Sequence, residues 1–241
     1  MSRIFIRSVV IAFSFTFAAP AMADDGAVLI TQANAAAGNV TPGDAPGFPV
    51  TLSVAGSYVL GSNLIPGANR NGIVAAAPDI TIDLNGFVMS GGPAGGANNS
   101  LRGIVGQGDR LTVQNGKINS FEVAGIAYPL RQFLIVENMR IISSGSGIDN
   151  TGGAFARIQN NTVAANAGFG ILCGNSCHVE SNIVSGNGGI GITLGAGMAF
   201  GNTITTNGSF GLFNNANPDV LSCHNVFVGN NPNFSPNISF C

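Results

Sequence analysis

A glycine followed by isoleucine or leucine recurs at Gly103-Ile104, Gly125-Ile126, Gly147-Ile148, Gly170-Ile171, Gly191-Ile192 and Gly211-Leu212, at intervals of 22, 22, 23, 21 and 20 residues. Six hits at near-constant spacing mark a repeat architecture, in which each unit buries its apolar face only against its neighbours. A second apolar ladder runs out of phase with the first: Val88, Ile118, Ile141, Val163, Val184, Ile204 and Phe227. Most of its members lie five residues after another apolar position, such as Val113, Val136, Ile158 and Val179. A third ladder of Asn166, Asn187, Asn207 and Asn230 falls where the chain must turn.

Each period therefore holds at least two runs of three to five residues that alternate inward and outward, too short to stand alone as strands or to form a helix. Gly and Asn between the runs tolerate the left-handed backbone of corners. Stacking like coils pairs each strand in parallel with its copies above and below and lines the interior with an isoleucine column and a valine column. The asparagines can hydrogen-bond along the stack as amide ladders do in cross-β arrays. The fold class predicted is all-β: a single right-handed parallel β-helix of about 22 residues per coil, with a short N-terminal capping helix. A β-sandwich or barrel would not require one dipeptide every 20 to 23 residues, and the fixed leucines of a leucine-rich repeat are absent.

Composition agrees with such a surface of short polar turns. Only 8% of residues are charged, 35 are glycine and none is tryptophan, yet 45% are hydrophobic, which argues against disorder. So little positive charge offers no groove for nucleic acid, and that partner class is excluded. Arg3 and Arg7, the apolar run Val9 to Ala19 and the small-residue pattern before Asp24 read as a secretion signal over residues 1–23, cut after Ala23. The run is too short to span a membrane, and no later segment is long and apolar enough. Losing the two arginines shifts the formal charge from −2 to −4. A periplasmic or secreted bacterial location follows, with no cofactor and a monomeric state expected.

In that compartment Cys173, Cys177, Cys223 and Cys241 can form disulfides. Of three connectivities, Cys173 with Cys177 and Cys223 with Cys241 is preferred; the second bridge reaches back about one coil, and a coil rise of ~4.8 Å suits disulfide geometry. The rival is a metal site with His178 and His224, but these lie two coils apart, about 10 Å, too far for one ion. Residues 24–79 are read as an N-terminal cap and first coil, 80–230 as the repeats and 231–241 as a C-terminal cap. Val28 to Ala37 looks like a lidding helix, and Gly91 to Ser100 lengthens one coil into a projecting loop. Pro218, Pro232 and Pro236 are expected to interrupt strand pairing near the end.

Ile80-Thr81-Ile82-Asp83-Leu84-Asn85-Gly86-Phe87, the later Asn-Thr-Ile coils and Asn207-Gly208-Ser209-Phe210-Gly211-Leu212 resemble the right-handed parallel β-helix repeat proteins of the pectin-lyase-like superfamily. The segment Gly43 to Val50 and Gly56-Ser57-Tyr58 resemble the opening region of an exported bacterial subgroup of it. The resemblance covers essentially the whole mature chain and implies the fold. It leaves activity open, because lyases, hydrolases, uronate epimerases, phage tailspikes and noncatalytic surface proteins share that fold. The Asp-Pro-His-Asp run of alginate epimerases, the Asn-Thr-Asp and Gly-His-Gly pair of polygalacturonases and the dense acidic calcium set of pectate lyases are missing.

Charge concentrates between Arg102 and Arg157, so ligand chemistry is sought at the middle coils. Outward of the Gly-Ile ladder run Val105, Ala127, Asp149, Leu172, Thr193 and Phe213, of which only Asp149 ionises. With Tyr128 and Arg131 it makes a weak candidate for acting on a uronate by β-elimination or epimerisation. Against it, Tyr128 can lie inward and the charges can be ordinary solvated face. Outward Gln114, Glu137, Gln159 and Glu180, beside Lys117 and Arg140, form a polar column that keeps a sheet soluble or binds sugar. Phe169, Ile190 and Phe210 read as core stacking before a carbohydrate platform. Two function classes remain: a noncatalytic exported protein binding polysaccharide or another surface partner along an elongated side, and, as runner-up, a polysaccharide lyase or uronate epimerase.

Overall fold

The computed structural model describes residues 26–92, 101–215 and 220–241. The residues read as a secretion signal, most of the expected projecting loop and Pro218 lie outside them. All pairing between strands is parallel, in two sheets that run the length of a solenoid. The eight-stranded sheet carries the Gly-Ile ladder: Val50, Ile73, Ile104, Ile126, Ile148, Ile171, Ile192 and Leu212 stand in register, and each is fully buried. The fifteen-stranded sheet forms the other two sides of each coil. Its strands Leu111–Asn119 and Leu134–Ile142 run through the bend between those sides, whereas later coils break there into separate strands such as Arg157–Gln159 and Thr162–Ala164.

Each side presents one inward column. On the second, Ile82, Val113, Val136, Ile158 and Val179 are in register; on the third, Met89, Ile118, Ile141, Val163, Val184 and Ile204 follow one another. Met89 corrects the ladder read from sequence. Val88 pairs with Lys117 and is half-buried, while Met89 faces Ile118 and is fully buried.

The corners explain why so few residues suffice per side. Asn115, Asn138, Asn160 and Ser181 hold positive φ at the bend between the second and third sides, and Ser120, Ser143, Ala165 and Thr206 do so where the third side ends. Inward of these corners run two amide ladders. Asn166, Asn187, Asn207 and Asn230 are linked by Nδ2 to Oδ1 bonds of 2.9 Å. A second set, Asn161, Asn182, Asn202 and Asn225, is linked at 2.8 to 3.0 Å. The glycines of the Gly-Ile ladder answer to space and not to a left-handed backbone: a Cβ on Gly170 would lie 2.5 Å from the Gly191 carbonyl oxygen of the next coil.

At the N-terminal end the expected lid is half strand. Val28–Ile30 pairs with Gly56–Leu60, and the helix is confined to Gln32–Ala37, where Thr31 and Asn34 form a reciprocal capping box. At the other end Ile238–Phe240 pairs with Val220–Cys223, so pairing resumes beyond the prolines. Cys173 is bonded to Cys177 and Cys223 to Cys241, with Cα separations of 6.2 and 5.2 Å.

Candidate functional site

The outward positions of the second side form two axial columns, because residues i and i+2 of a strand share a face. One runs Thr81, Thr112, Ile135, Arg157, His178, Met198. Two residues on, Asp83, Gln114, Glu137, Gln159 and Glu180 follow in register. Parallel pairing sets successive members ~4.8 Å apart.

These side chains hold one another in place. Gln114 Nε2 and Asn115 Nδ2 each donate to Asp83 Oδ2 at 2.8 Å. Gln159 Nε2 donates to Glu137 Oε2 at 2.6 Å, and Arg157 Nη2 donates to Glu180 Oε1 at 3.3 Å. His178 Nε2 lies 3.5 Å from Glu180 Oε2. Each amide spends one of its two N–H donors within the column and each carboxylate keeps unshared lone pairs, so the strip offers solvent both donors and acceptors. Lys117 and Arg140 continue as an outward column past the bend.

Where the second side begins, another corner column carries positive φ: Asp79, Arg110, Phe133, Phe155 and Ser176. Arg110 forks onto both oxygens of Asp79, with Nη2 to Oδ2 at 2.8 Å, and its guanidinium holds the Asp79 carboxyl below the usual range. Next in the column, the rings of Phe133 and Phe155 stack with centroids 5.1 Å apart and planes 14° from parallel. They are 46% and 52% exposed. Periodicity of apolar residues does not find this pair, because the same corner is occupied by charged or small residues in other coils.

The three residues singled out as weak catalytic candidates lie close in the fold: the Tyr128 amide donates to the Asp149 carbonyl at 2.7 Å, and the Arg131 charge acts on the Tyr128 phenol. Tyr128 is fully buried, and its hydroxyl donates to the Gln132 carbonyl at 2.8 Å. Burial, helped by the negative charge of Asp109, pushes its phenol up to about 12. Asp149 stands in the outward column between Ala127 and Leu172, where its Oδ1 accepts from the Thr151 amide at 3.1 Å and hydroxyl at 2.6 Å. Arg131 is exposed. Phe169, Ile190 and Phe210 are half-buried, with Phe210 tilted against Phe213 at 5.1 Å. His224 is exposed, edge-on to Phe200. Among the described residues no three His, Cys, Asp or Glu side chains gather as metal ligands, and no described helix is long and apolar enough to cross a membrane.

A family model for the right-handed β-helix region matches residues 52–208. The chain belongs to the right-handed β-helix family. Among solved structures this β-helix protein is similar to the tailspike protein gp49 of Acinetobacter baumannii bacteriophage Fri1, a capsular polysaccharide depolymerase. Identity is 8% and the TM-score 0.40, over 77% of this chain and 52% of the tailspike, so the chain spans about half that protein's length. No curated protein matches it.

Proposed function

We propose that this is an exported, monomeric and noncatalytic β-helix protein that binds a polysaccharide along the outward face of the second side. The observation that carries the reading is the axial series Asp83, Gln114, Glu137, Gln159 and Glu180. An extended β-1,4-linked pyranose chain advances by about half a nanometre per sugar, close to the ~4.8 Å coil rise. A glycan lying parallel to the solenoid axis thus meets a hydrogen-bonding group at each ring. Mutual bonds within the series hold these groups in place before any ligand arrives, which lowers the entropic cost of binding. The noncatalytic part is supported by Tyr128, whose buried hydroxyl serves a backbone carbonyl, and by Asp149, whose carboxylate closes its own turn. Export is supported by the pairing of all four cysteines.

The test is affinity electrophoresis through gels containing single polysaccharides, paired with ultraviolet detection of unsaturated products. Retardation by at least one extended glycan is expected, without products, and Glu137→Ala combined with Gln159→Ala should weaken it about tenfold or more. Accumulating unsaturated products would establish the lyase reading instead. Retardation indifferent to the double substitution would move the site off this face.

A further inference from the structure

We propose that the corner ridge beside the polar strip carries an aromatic subsite, built from Phe155 and Phe133, that takes the apolar face of an uncharged or amino-bearing pyranose. The proposal rests on the polysaccharide reading above and names the sugar class within it.

The corner itself does not call for phenylalanine. All five residues of its column, Asp79, Arg110, Phe133, Phe155 and Ser176, hold φ between 53° and 62°. A bulky side chain is disfavoured in that region by ~1–2 kcal/mol, and an aspartate, an arginine and a serine occupy it in neighbouring coils. Nor does the hydrophobic core receive the rings, since both are about half exposed at 46% and 52%. Two strained, solvent-facing aromatics in successive coils are the kind of outlier that points to function.

Their arrangement says what they fit. The 5.1 Å centroid separation is close to the ~4.8 Å coil rise, so the rings stack along the solenoid axis. The outer face of Phe155 then looks toward the next coil, where its register partner is Ser176, and Ala196 follows one coil further. Small residues there leave a flat apolar face above a shallow step. On the same outward side, Arg157 and His178 flank the step and both reach Glu180, at 3.3 and 3.5 Å. A pyranose ring carries this pairing of chemistries, with axial C–H bonds on one face and hydroxyls round its rim. On the strip beside it the Glu137 carboxylate is bonded to the neutral Gln159 amide and to no cation, and its charge disfavours a uronate polymer.

The test uses the full-length secreted protein and three hexasaccharides: a β-1,4-glucan, a β-1,4-glucosamine and an oligo-alginate. Phe155→Asn replaces the ring with a residue at home in the left-handed corner, so unfolding midpoints should hold or rise. Affinity for the glucan and the glucosamine oligomer should fall about tenfold, the size of one lost ring stack. Phe155→Trp, with a larger face, should tighten both. The alginate oligomer should bind wild type at least tenfold more weakly than the glucan. Unchanged glucan affinity in both variants, or tightest binding of alginate, overturns the subsite while leaving polysaccharide binding intact. Failure of wild type to bind any of the three overturns the parent reading as well.

Discussion

Ala165 sits at a corner with φ 54°, exposed, where the equivalent positions Gly186 and Gly229 are glycine. An alanine there bears the steric clash of the left-handed region with nothing to offset it. Ala165→Gly should therefore raise stability by about 0.5–1 kcal/mol, whereas Ala164→Gly, in the adjoining strand, should lower it by a similar amount; paired urea melts decide. The two tyrosines give a second handle on single residues. Both phenols are pushed up by burial, Tyr128 to about 12. A pKa raised on folding favours the neutral form in the native state, so this stabilisation is whole below pH ~10. It fades as pH climbs toward about 12. With two tyrosines and no tryptophan in the chain, an ultraviolet titration reads this directly. The native protein should show little phenolate near pH 10, and Tyr128→Phe should remove the later step. A full two-tyrosine rise near pH 10 in folded protein would contradict the burial. The inward turn of Tyr128 was legible as one of two readings, because it lies two residues after the inward Ile126; the Gln132 carbonyl that takes its hydroxyl was not.

The elements that were legible are those whose side chains repeat as one chemical kind. Ile104, Ile126, Ile148, Ile171 and Ile192 fall into one column because a fixed glycine marks each, and that glycine is required by the close approach of the next coil. Val88 was misplaced by one because Val88 and Met89 are both apolar and the longer coil after them removes the spacing that would choose. One asparagine ladder was legible by its period. The other, from Asn161 to Asn225, has the same period and was equally open to reading; only its first member is blurred, by the adjacent Asn160. In that second ladder Asn182 is saturated. Its Oδ1 accepts from the Asn161 backbone amide at 2.9 Å and side chain at 3.0 Å, and its Nδ2 donates to the Ile158 carbonyl at 2.9 Å and Asn202 at 3.0 Å. Asn182→Ala breaks these and strands partners in a dry interior, so a loss of about 2–4 kcal/mol is expected by denaturant unfolding. Asn160→Gly, at the exposed left-handed corner directly before Asn161, should change stability by under ~1 kcal/mol. Equal losses at the two positions would mean that the inward amides do not carry the stack. The phenylalanine pair stayed hidden for the opposite reason: a column running Asp79, Arg110, Phe133, Phe155, Ser176 has no common chemistry, only a common backbone conformation.

For the molecule as a whole, coils touch mainly their neighbours, so stability should be close to a sum over coils and the interfaces between them. Asn182 and Asn202 are equivalent positions 20 residues apart. Removing residues 182–201 joins Ser181 to Asn202, which matches the native junction of Gly201 with Asn202. Both residues before the junction hold positive φ, at 55° and 62°. The excision takes one member from each inward column, leaves all four cysteines in place, and brings Leu212 against Ile171 where Ile192 had been. The shortened chain should fold cooperatively with a denaturant slope lower by roughly a tenth, in proportion to the surface removed. Removing only residues 182–191 joins Ser181 to Ile192 and shifts corner positions into strands, since the inward set and the left-handed set are then out of phase. Circular dichroism and the denaturant slope of the half-coil variant should show the C-terminal coils unfolded. A half-coil deletion that folds as well as the whole-coil one would mean that the stack is not held by matching columns, and the ruled spacing on which the glycan reading depends would lose its basis.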